Sequence, residues 1–477
     1  MYIIRTTKSI CPVCYRIIDA KLYEENGAVY MEKSCTEHGT FKDLCWSDYR
    51  LYKQFETKNI EEAGRREIST ESAAISEYKG CPFDCGLCAE HESSTVLGVI
   101  DVTTRCNLRC PICFAKSNGN TVGQKDPDIE EIKAIIDNFA ANTNAAGLQF
   151  SGGEPTLRED LPELISYARK KFDHVEVDTN GLKMAQSEEY CKEIESAGTS
   201  VVYLQFDGVT EAPYEKLRGR KLLAVKKKAI ANHRKAGPKT AIVLVPTIVK
   251  GVNDDQIGAI IKFAIENSDI IRGVNFQPVS FCGRTSYNEN ERITVSDVIG
   301  KIEEQTGFLR TDDFFPPSQL SMLLGTLGKS EVGCHFSCGA FSYLVVNPFK
   351  KSVYGKMLRR NGKVGEKVEP ITKYVNMERL AAAYKKKKKI PVFTALRSIR
   401  PGLLKELFVG FVKSRDYLDL SNLHFNLLFI GSMHFMDPYN FDFARLRKCV
   451  IHYGLPDGRI VPFCSYNNIH RNKKIKK

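Results

Sequence analysis

The segment Thr104-Arg-Cys106-Asn-Leu-Arg-Cys110-Pro-Ile-Cys113-Phe114 spaces three thiols as C-x3-C-x2-C. Three thiolates on one short loop ligate three irons of a cubane cluster and leave the fourth open, whereas four thiolates would close it for electron transfer. An open iron has room to chelate the amino and carboxylate groups of a methionine moiety and pass an electron to its sulfonium. A zinc loop or a closed cluster is the plainer reading of the same cysteines. Downstream lie Ser151-Gly152-Gly153-Glu154-Pro155, Asp178-Thr-Asn180-Gly181 and Gln205-Phe-Asp207. Gly-Gly-Glu-Pro alone is a weak signal and gains weight only behind the three-cysteine loop. For Asp178-Thr-Asn-Gly an ordinary turn is nearly as good a reading.

Three further groups of ligand-type residues stand apart from this loop. Cys11-Pro-Val-Cys14 and Cys35-Thr-Glu-His38-Gly39 form two knuckles with twenty residues between the pairs. Four such ligands suit a tetrahedral zinc or a rubredoxin-like mononuclear iron, and a closed site leaves no position for substrate, so its role reads as structural. A surface His38 with Cys45 as fourth ligand is the alternative. Cys81-Pro-Phe-Asp-Cys85-Gly-Leu-Cys88 repeats the C-x3-C-x2-C spacing ahead of the first strand and is read as part of an auxiliary cluster, with a second cofactor-cleaving cluster as the runner-up. The last group is Cys334, Cys338, Cys449 and Cys464. Seven cysteines thus serve two auxiliary clusters that would need eight. Either one ligand is not a cysteine, or Cys45, Cys191 or Cys282 joins. Cys191 sits on an amphipathic helix and reads as core.

The elements that must position these residues follow from hydrophobic periodicity. β-rich apolar runs at 96–103, 147–151, 174–178, 201–206, 240–248 and 272–277 alternate with amphipathic helical stretches at 128–144, 159–172, 187–197, 221–236 and 254–268. That alternation predicts a parallel sheet with helical crossovers. Six strands suit an α/β fold built as a partial (β/α)6 TIM-like barrel better than a closed eight-fold one. Functional residues of such folds sit at the C-terminal ends of the strands, where Cys106, Gly152 to Pro155, Asp178, Asn180, Gln205, Asp207 and Gln277 all fall. The expected organisation is a zinc-ribbon or rubredoxin-like module over 1–50 and a connector with the auxiliary cysteines over 51–94. The barrel follows over 95–310, then a C-terminal auxiliary-cluster and substrate-binding region over 311–477.

Composition narrows the partners. Sixteen cysteines, mostly clustered, point to metal ligation in a reducing compartment rather than to disulfides. The N-terminus has no apolar signal core and no run is long enough to span a bilayer, so a cytoplasmic location is expected. The formal charge of +12 is concentrated in Lys385 to Lys389 and in the tail 471–477. A solvated surface explains it as well as docking on an anionic membrane or on nucleic acid does. The apolar, cation-studded stretch Pro391 to Phe411 suits a peripheral membrane contact, or equally a core helix beside a lysine loop. Asn426 to Met436, rich in aromatics and methionine, reads as hydrocarbon tunnel or plain core.

The Cys106 loop, with its trailing aromatic Phe114, and the Gly-Gly-Glu-Pro motif resemble the radical S-adenosylmethionine (radical SAM) superfamily. The resemblance implies an enzyme that cleaves S-adenosylmethionine at a [4Fe-4S] cluster held by Cys106, Cys110 and Cys113. It also implies cofactor contacts from Phe114, Gly152, Gly153, Glu154, Pro155, Asp178, Asn180, Gln205 and Asp207. Over its whole length, through the N-terminal knuckles, Gly80-Cys81-Pro-x-Asp-Cys85-Gly-Leu-Cys88, Phe435-Met-Asp437 and Cys449 to Asn467, the chain resembles archaeal tetraether lipid synthases. Their relatives include proteins described as methyltransferases of a dihydro-hydroxymethylpterin. Where that family carries His-Pro-x-Cys, this chain has His335-Phe-Ser-Cys338. The resemblance implies two auxiliary [4Fe-4S] clusters, an electron donor such as ferredoxin or flavodoxin, and a hydrophobic substrate. The expected reaction is abstraction of hydrogen from isoprenoid chain ends and coupling of two sp3 carbons. The alternative is radical methylation of a pterin precursor. An iron–sulfur electron carrier or a nucleic-acid-binding protein is the third reading, disfavoured because neither needs an open-iron loop partnered by Gly-Gly-Glu-Pro; no nucleic-acid partner is expected.

Overall fold

The computed structural model describes residues 1–60, 80–84, 86–118, 126–237, 239–286, 288–319, 333–346, 368–387, 394, 397–398 and 427–471. Cys85, most of the stretch from Pro391 to Phe411, Lys388, Lys389 and the tail 472–477 lie outside these residues.

Period-two alternation near the N-terminus produces four antiparallel strands in simple order: β1 (Tyr2–Ile10), β2 (Ile17–Glu25), β3 (Ala28–Cys35) and β4 (Gly39–Trp46). Asn26 and Gly27 join β2 to β3 with φ of 52° and 79°, the left-handed pair a two-residue hairpin requires. Helix α1 (Tyr49–Lys58) is capped by the Asp48 carboxylate, which accepts from Leu51 N at 2.9 Å. It buries Leu51, Tyr52 and Phe55.

The six expected strands form and neighbour one another in chain order, all parallel. They are β5 (Leu97–Thr103), β6 (Gly147–Gly152), β7 (His174–Thr179), β8 (Val201–Gln205), β9 (Ala241–Val245) and, after the short β10 (Thr247–Ile248), β11 (Ile271–Pro278). The crossovers are α2 (Ile129–Asn142), α3 (Leu161–Arg169), α4 (Leu182–Gln186), α5 (Glu188–Ser196), α6 (Ala212–Arg218), α7 (Leu223–Ala236) and α8 (Ile257–Glu266). A capping box of Asp128 and Glu131 fixes the start of α2, which buries Ile132, Ile135, Ile136 and Phe139. These pack into one core with the outward residues of the strands, Ile100, Val102, Leu148, Phe150, Val175 and Val177 among them. After β11, α9 (Val295–Thr306) adds Val298, Ile299 and Ile302 to that core.

The C-terminal region extends this sheet at both edges. Strand β14 (Leu427–Met433) runs parallel to β11, pairing Gly273 with Phe429 and Phe276 with Ser432. Strand β12 (Gly339–Val345) lies antiparallel to β14, and β13 (Glu369–Pro370) follows it. At the other edge β15 (Ile451–Gly454) runs parallel to β5 and carries β16 (Ile460–Pro462). Among the described residues the sheet has twelve strands. Its six-strand centre would otherwise expose two rows of unpaired backbone groups. Among the described residues the C-terminal region also carries the helices α10 (Met377–Lys387) and α11 (Phe443–Arg447) and a helical turn over Phe463–Ser465. Among the described residues no helix is long and apolar enough to cross a membrane.

The sheet curls. Tyr203 on β8 comes within electrostatic reach of Tyr343 on β12, although three strands lie between them in the sheet order. Their shared face therefore encloses a lumen, lined by the residues that alternate with the core-facing valines.

Candidate active site

The first strand ends at Thr103, and the cysteine loop begins there, stitched to the loop after β6. Gly153 N donates to Thr103 O at 2.7 Å and Glu154 N to Arg105 O at 2.8 Å. The contact is too close for side chains. A Cβ on Gly153 would sit 2.0 Å from Arg105 O, and one on Gly152, whose φ is 123°, would sit 2.3 Å from Thr103 O.

Three side chains hold the cysteine loop from outside, and the sequence reading singled out none of them. Asn118 accepts from Cys106 N at 3.1 Å and donates to Cys106 O at 2.5 Å and Leu108 O at 3.1 Å. Arg284 donates to Cys110 O at 2.9 Å and to Ser117 O, while its backbone forms a bridge with Cys113. Arg218 donates to Ile112 O at 3.1 Å. Their signal was weak because each holds the loop through backbone groups, which for Arg218 and Arg284 lie a hundred or more residues away in sequence. The thiols themselves are half-buried. Burial pushes Cys106 up to about 11 and raises Cys110 as well, so these thiols stay protonated until a cation takes the proton's place. Three thiols converge on a short loop stiffened at Cys106, Cys110 and Cys113, and this donor set fits a site-differentiated cubane.

From this loop a continuous polar network runs along the strand ends. Glu154 is 2% exposed, and its carboxylate accepts from Thr156 Oγ1 at 2.6 Å, Thr179 Oγ1 at 2.6 Å and Asn180 N at 2.8 Å. Burial raises its pKa, and those donors pull the other way. Asn180 donates to Asn107 of the cysteine loop at 2.7 Å. Lys226, fully buried on α7, donates to Asn180 O at 2.5 Å and Gln205 Oε1 at 2.7 Å. Gln205 donates in turn to Asp207, which Arg218 grips with two bonds of 2.7 Å. Pro155 starts a buried turn behind Glu154. Asp178, held by Gln149 Nε2 at 2.6 Å, is pushed up to about 7 by burial. The structure therefore brings together Cys106, Gly152, Gly153, Glu154, Asn180, Gln205 and Asp207, with Asp178 on the adjoining inner face of β7. Phe114 stacks on Phe463, ring centroids 5.3 Å apart, and meets Phe435 at a tilt with centroids 5.9 Å apart.

Phe463 leads to a second thiol group. Cys334, Cys338, Cys449 and Cys464 come from three separate stretches and influence one another: Cys334 hydrogen-bonds Cys338, and Cys449 feels Cys338 and lies beside Cys464. Cys334 is pushed up and Cys338 down by their mutual hydrogen bond. Cys81 packs in the same apolar cluster as Cys464, Ile10 and Met436. Cys88 adjoins it through His91, whose backbone N donates to Cys88 O at 3.1 Å and whose Nε2 meets Cys449 O at 2.8 Å. Cys191 is buried in the main core, Cys45 is half-buried, and Cys282 is buried with its thiol pushed up to about 12 by burial.

The N-terminal knuckles meet as expected. The ligand atoms of Cys11, Cys14, Cys35 and His38 all lie within 4.8 Å of one another. Cys14 and Cys35 sulfurs are 3.9 Å apart, and His38 Nδ1 is 3.7 Å from Cys11 Sγ and 3.5 Å from Cys35 Sγ. A tetrahedron with Zn–S of about 2.3 Å and Zn–N of about 2.0 Å has edges of about 3.8 Å and 3.5 Å, so the donor set fits a mononuclear metal. Backbone N–H groups of Glu37 and the His38 ring pull Cys35 down to about 6, preparing a thiolate.

A curved parallel sheet with a three-cysteine loop after its first strand and a Gly-Gly-Glu turn after its second defines a radical SAM enzyme. The family described as Radical SAM superfamily matches residues 100–264, and the HMPTM N-terminal zinc ribbon domain matches residues 3–47. The chain belongs to the radical SAM family of the 7,8-dihydro-6-hydroxymethylpterin dimethyltransferase of Methanocaldococcus jannaschii, with which it is 43% identical over 98% of its own length and 94% of the relative's. It is 34% identical to the Fe-coproporphyrin III synthase of Methanosarcina barkeri, over 42% of this chain and 48% of that one. The solved structure of Streptococcus suis SuiB bound to precursor peptide SuiA matches 45% of this chain and 46% of its own, at 18% identity and a TM-score of 0.38.

Proposed function

We propose that this radical SAM enzyme acts on a pterin-class heterocycle, adding a methyl group at a carbon that ordinary acid–base chemistry leaves untouched. The observation that carries the substrate class is the lining of the lumen below the strand ends. Glu176, two residues before Asp178 on the same face of β7, lies about 6.6 Å deeper along the strand. It is 7% exposed and takes one hydrogen bond from His174 at 2.8 Å, while its Oε2 has no partner. Asn275 on β11, 3% exposed, likewise leaves Oδ1 without a partner and sits against the Tyr203 hydroxyl. Buried acceptors of this kind are costly unless a ligand donates to them. Paired N–H donors on a flat ring, set among Tyr203, Tyr343 and Phe429, meet that need; a hydrocarbon chain does not. The relative named for a pterin supports the same class.

When bound, the [4Fe-4S] cluster supplies the electron that splits S-adenosylmethionine into methionine and a 5′-deoxyadenosyl radical. Cys106, Cys110 and Cys113 would hold the cluster. Gly152 and Gly153 let the backbone of the second loop pass close against the cysteine loop, and Asn180, Gln205 and Asp207 frame the cofactor's path along the strand ends. The carboxylate of Asp178, raised by burial, is placed to hydrogen-bond a neutral hydroxyl. Phe114, Phe435, Phe463 and Tyr453 form an aromatic wall that excludes water between the two thiol groups. Cys334, Cys338, Cys449 and Cys464 form a four-thiol set for one auxiliary cluster, which leaves Cys81, Cys85 and Cys88 as a three-thiol set for another.

That aromatic wall favours a second reading, coupling of isoprenoid chain ends, because it lines the path with apolar surface. Anaerobic turnover of a dihydropterin with S-adenosylmethionine, a low-potential reductant and a folate-type methyl donor, run beside diether lipid, separates the two. A pterin carrying an added methyl mass, lost in Cys106→Ala together with 5′-deoxyadenosine and sharply reduced in Glu176→Gln with 5′-deoxyadenosine retained, is the expected result. Coupled diether lipids with no methylated pterin would overturn it in favour of lipid joining.

A further inference from the structure

Arg445, on α11, is a buried cation that points at the four-thiol group with one N–H unpartnered. Its guanidinium donates through Nη2 to His434 O at 2.8 Å and lies 3.8 Å from Cys338 Sγ, and its Nε has no hydrogen-bond partner. The residue is 9% exposed. Asp442, three residues back, is already taken: it accepts from Arg5, from Thr7 Oγ1 at 2.8 Å and from Ala444 N at 3.0 Å. Besides Asp442, its neighbours of opposite sign are the cysteines, Cys338 and Cys464 foremost.

A guanidinium has no route to neutrality in a protein, so it keeps its charge wherever it is buried. Four thiolates around an iron–sulfur cube carry net negative charge, and an N–H pointed at one of them is a donor whose acceptor is then in place.

We propose that Arg445 is the built-in counter-ion of the four-thiol centre, donating N–H···S to Cys338 and setting the centre's reduction potential upward. Reduction adds a negative charge to a buried group, so a fixed cation and an N–H donor favour the reduced form over the oxidised one. Arg445 is a positioning residue, acting through the cluster rather than on substrate. No other described residue presents both charge and an N–H to this set. The inference rests on the four-thiol centre proposed above, and the test separates the two.

The protein used is the full chain carrying Cys106→Ala, reconstituted anaerobically so that the loop's own cluster does not contribute. Cys449→Ala in that background should lower bound iron and remove one reduction wave in an EPR-monitored titration, which identifies the wave. Unchanged iron and an unchanged titration would overturn the four-thiol centre, and this inference with it. Arg445→Met should move the identified wave to more negative potential with iron content retained, and Arg445→Lys, which keeps the charge but loses the planar fork, should move it less. A wave at the wild-type potential in Arg445→Met overturns the role of Arg445. Should Arg445→Met lose the cluster altogether, Arg445→Lys decides: a lowered potential supports the proposal and a wild-type potential overturns it.

Discussion

At the scale of single residues, the site depends on where side chains are absent as much as on where they are present. Gly153 gives the backbone of the second strand's loop room to bond Arg105 O, and a methyl there would lie 2.0 Å from that oxygen. Backbone must shift to accept it, and the cysteine loop is what it would push. Gly153→Ala should therefore abolish 5′-deoxyadenosine formation and lower iron bound at the Cys106 loop while leaving metal at the N-terminal knuckles. Wild-type iron and wild-type cofactor cleavage in that variant would contradict the stitched-loop account. The residues of this site were unequally legible. Three cysteines and Gly-Gly-Glu-Pro announce themselves because their spacing is local. Asn118, Arg218 and Arg284 do not, because a side chain that holds a loop by its carbonyls has no preferred spacing in sequence.

Among the elements, α7 illustrates how one helix serves both site and core. Lys226 reaches the strand ends while His233, two turns on, is fully buried on the core side and is pushed down to about 4 by burial. The sign of the resulting linkage follows from where the proton goes. Above the ordinary imidazole value of about 6.5 neither state is protonated, and His233 leaves stability indifferent to pH. Between about 6.5 and 4 the unfolded chain takes up a proton that the folded one refuses. Stability is then lost as pH falls, at up to about 1.4 kcal/mol per unit from this group. His233→Gln should flatten the acid side of the stability profile by about that slope, read as the difference between wild-type and variant urea unfolding from pH 7 to pH 4.5. Parallel profiles would mean that His233 is not buried neutral. The elements themselves were legible where pattern and length agree: six strands and five crossovers fall within a few residues of their expected positions. Strands β12 and β14 to β16 were not. β12, β14 and β15 form by pairing with strands set up far away in the sequence, so Leu427 to Met433 reads as tunnel or core until β11 is beside it.

For the whole molecule the question is what locks the metal-binding ribbon, the barrel and the C-terminal strands into one body. Arg292, which leads into α9, is the junction. Its guanidinium lies 2.8 Å from Asp43 of β4 and 2.7 Å from Asp437 beyond β14, and all three side chains are almost completely buried. Asp437 also accepts from Phe281 N at 2.9 Å, next to Cys282, so the junction abuts the cysteine loop's surroundings. Lys33 of β3 adds a second tie, donating to Pro438 O at 2.7 Å. Truncating the shared cation strands two buried carboxylates, and breaking a buried pair costs about 3–5 kcal/mol. Arg292→Met should lose at least that much, seen as a lower urea midpoint, and protease should reach the ribbon before the barrel. Metal at Cys11, Cys14, Cys35 and His38 should survive, because its donors come from the ribbon's own loops. Release of the metal at the same urea concentration as ribbon detachment would instead place the metal's stability in the junction. A ribbon that kept its protection in Arg292→Met would mean that apolar packing of Ile10 against Met436 and Phe441 carries the joint.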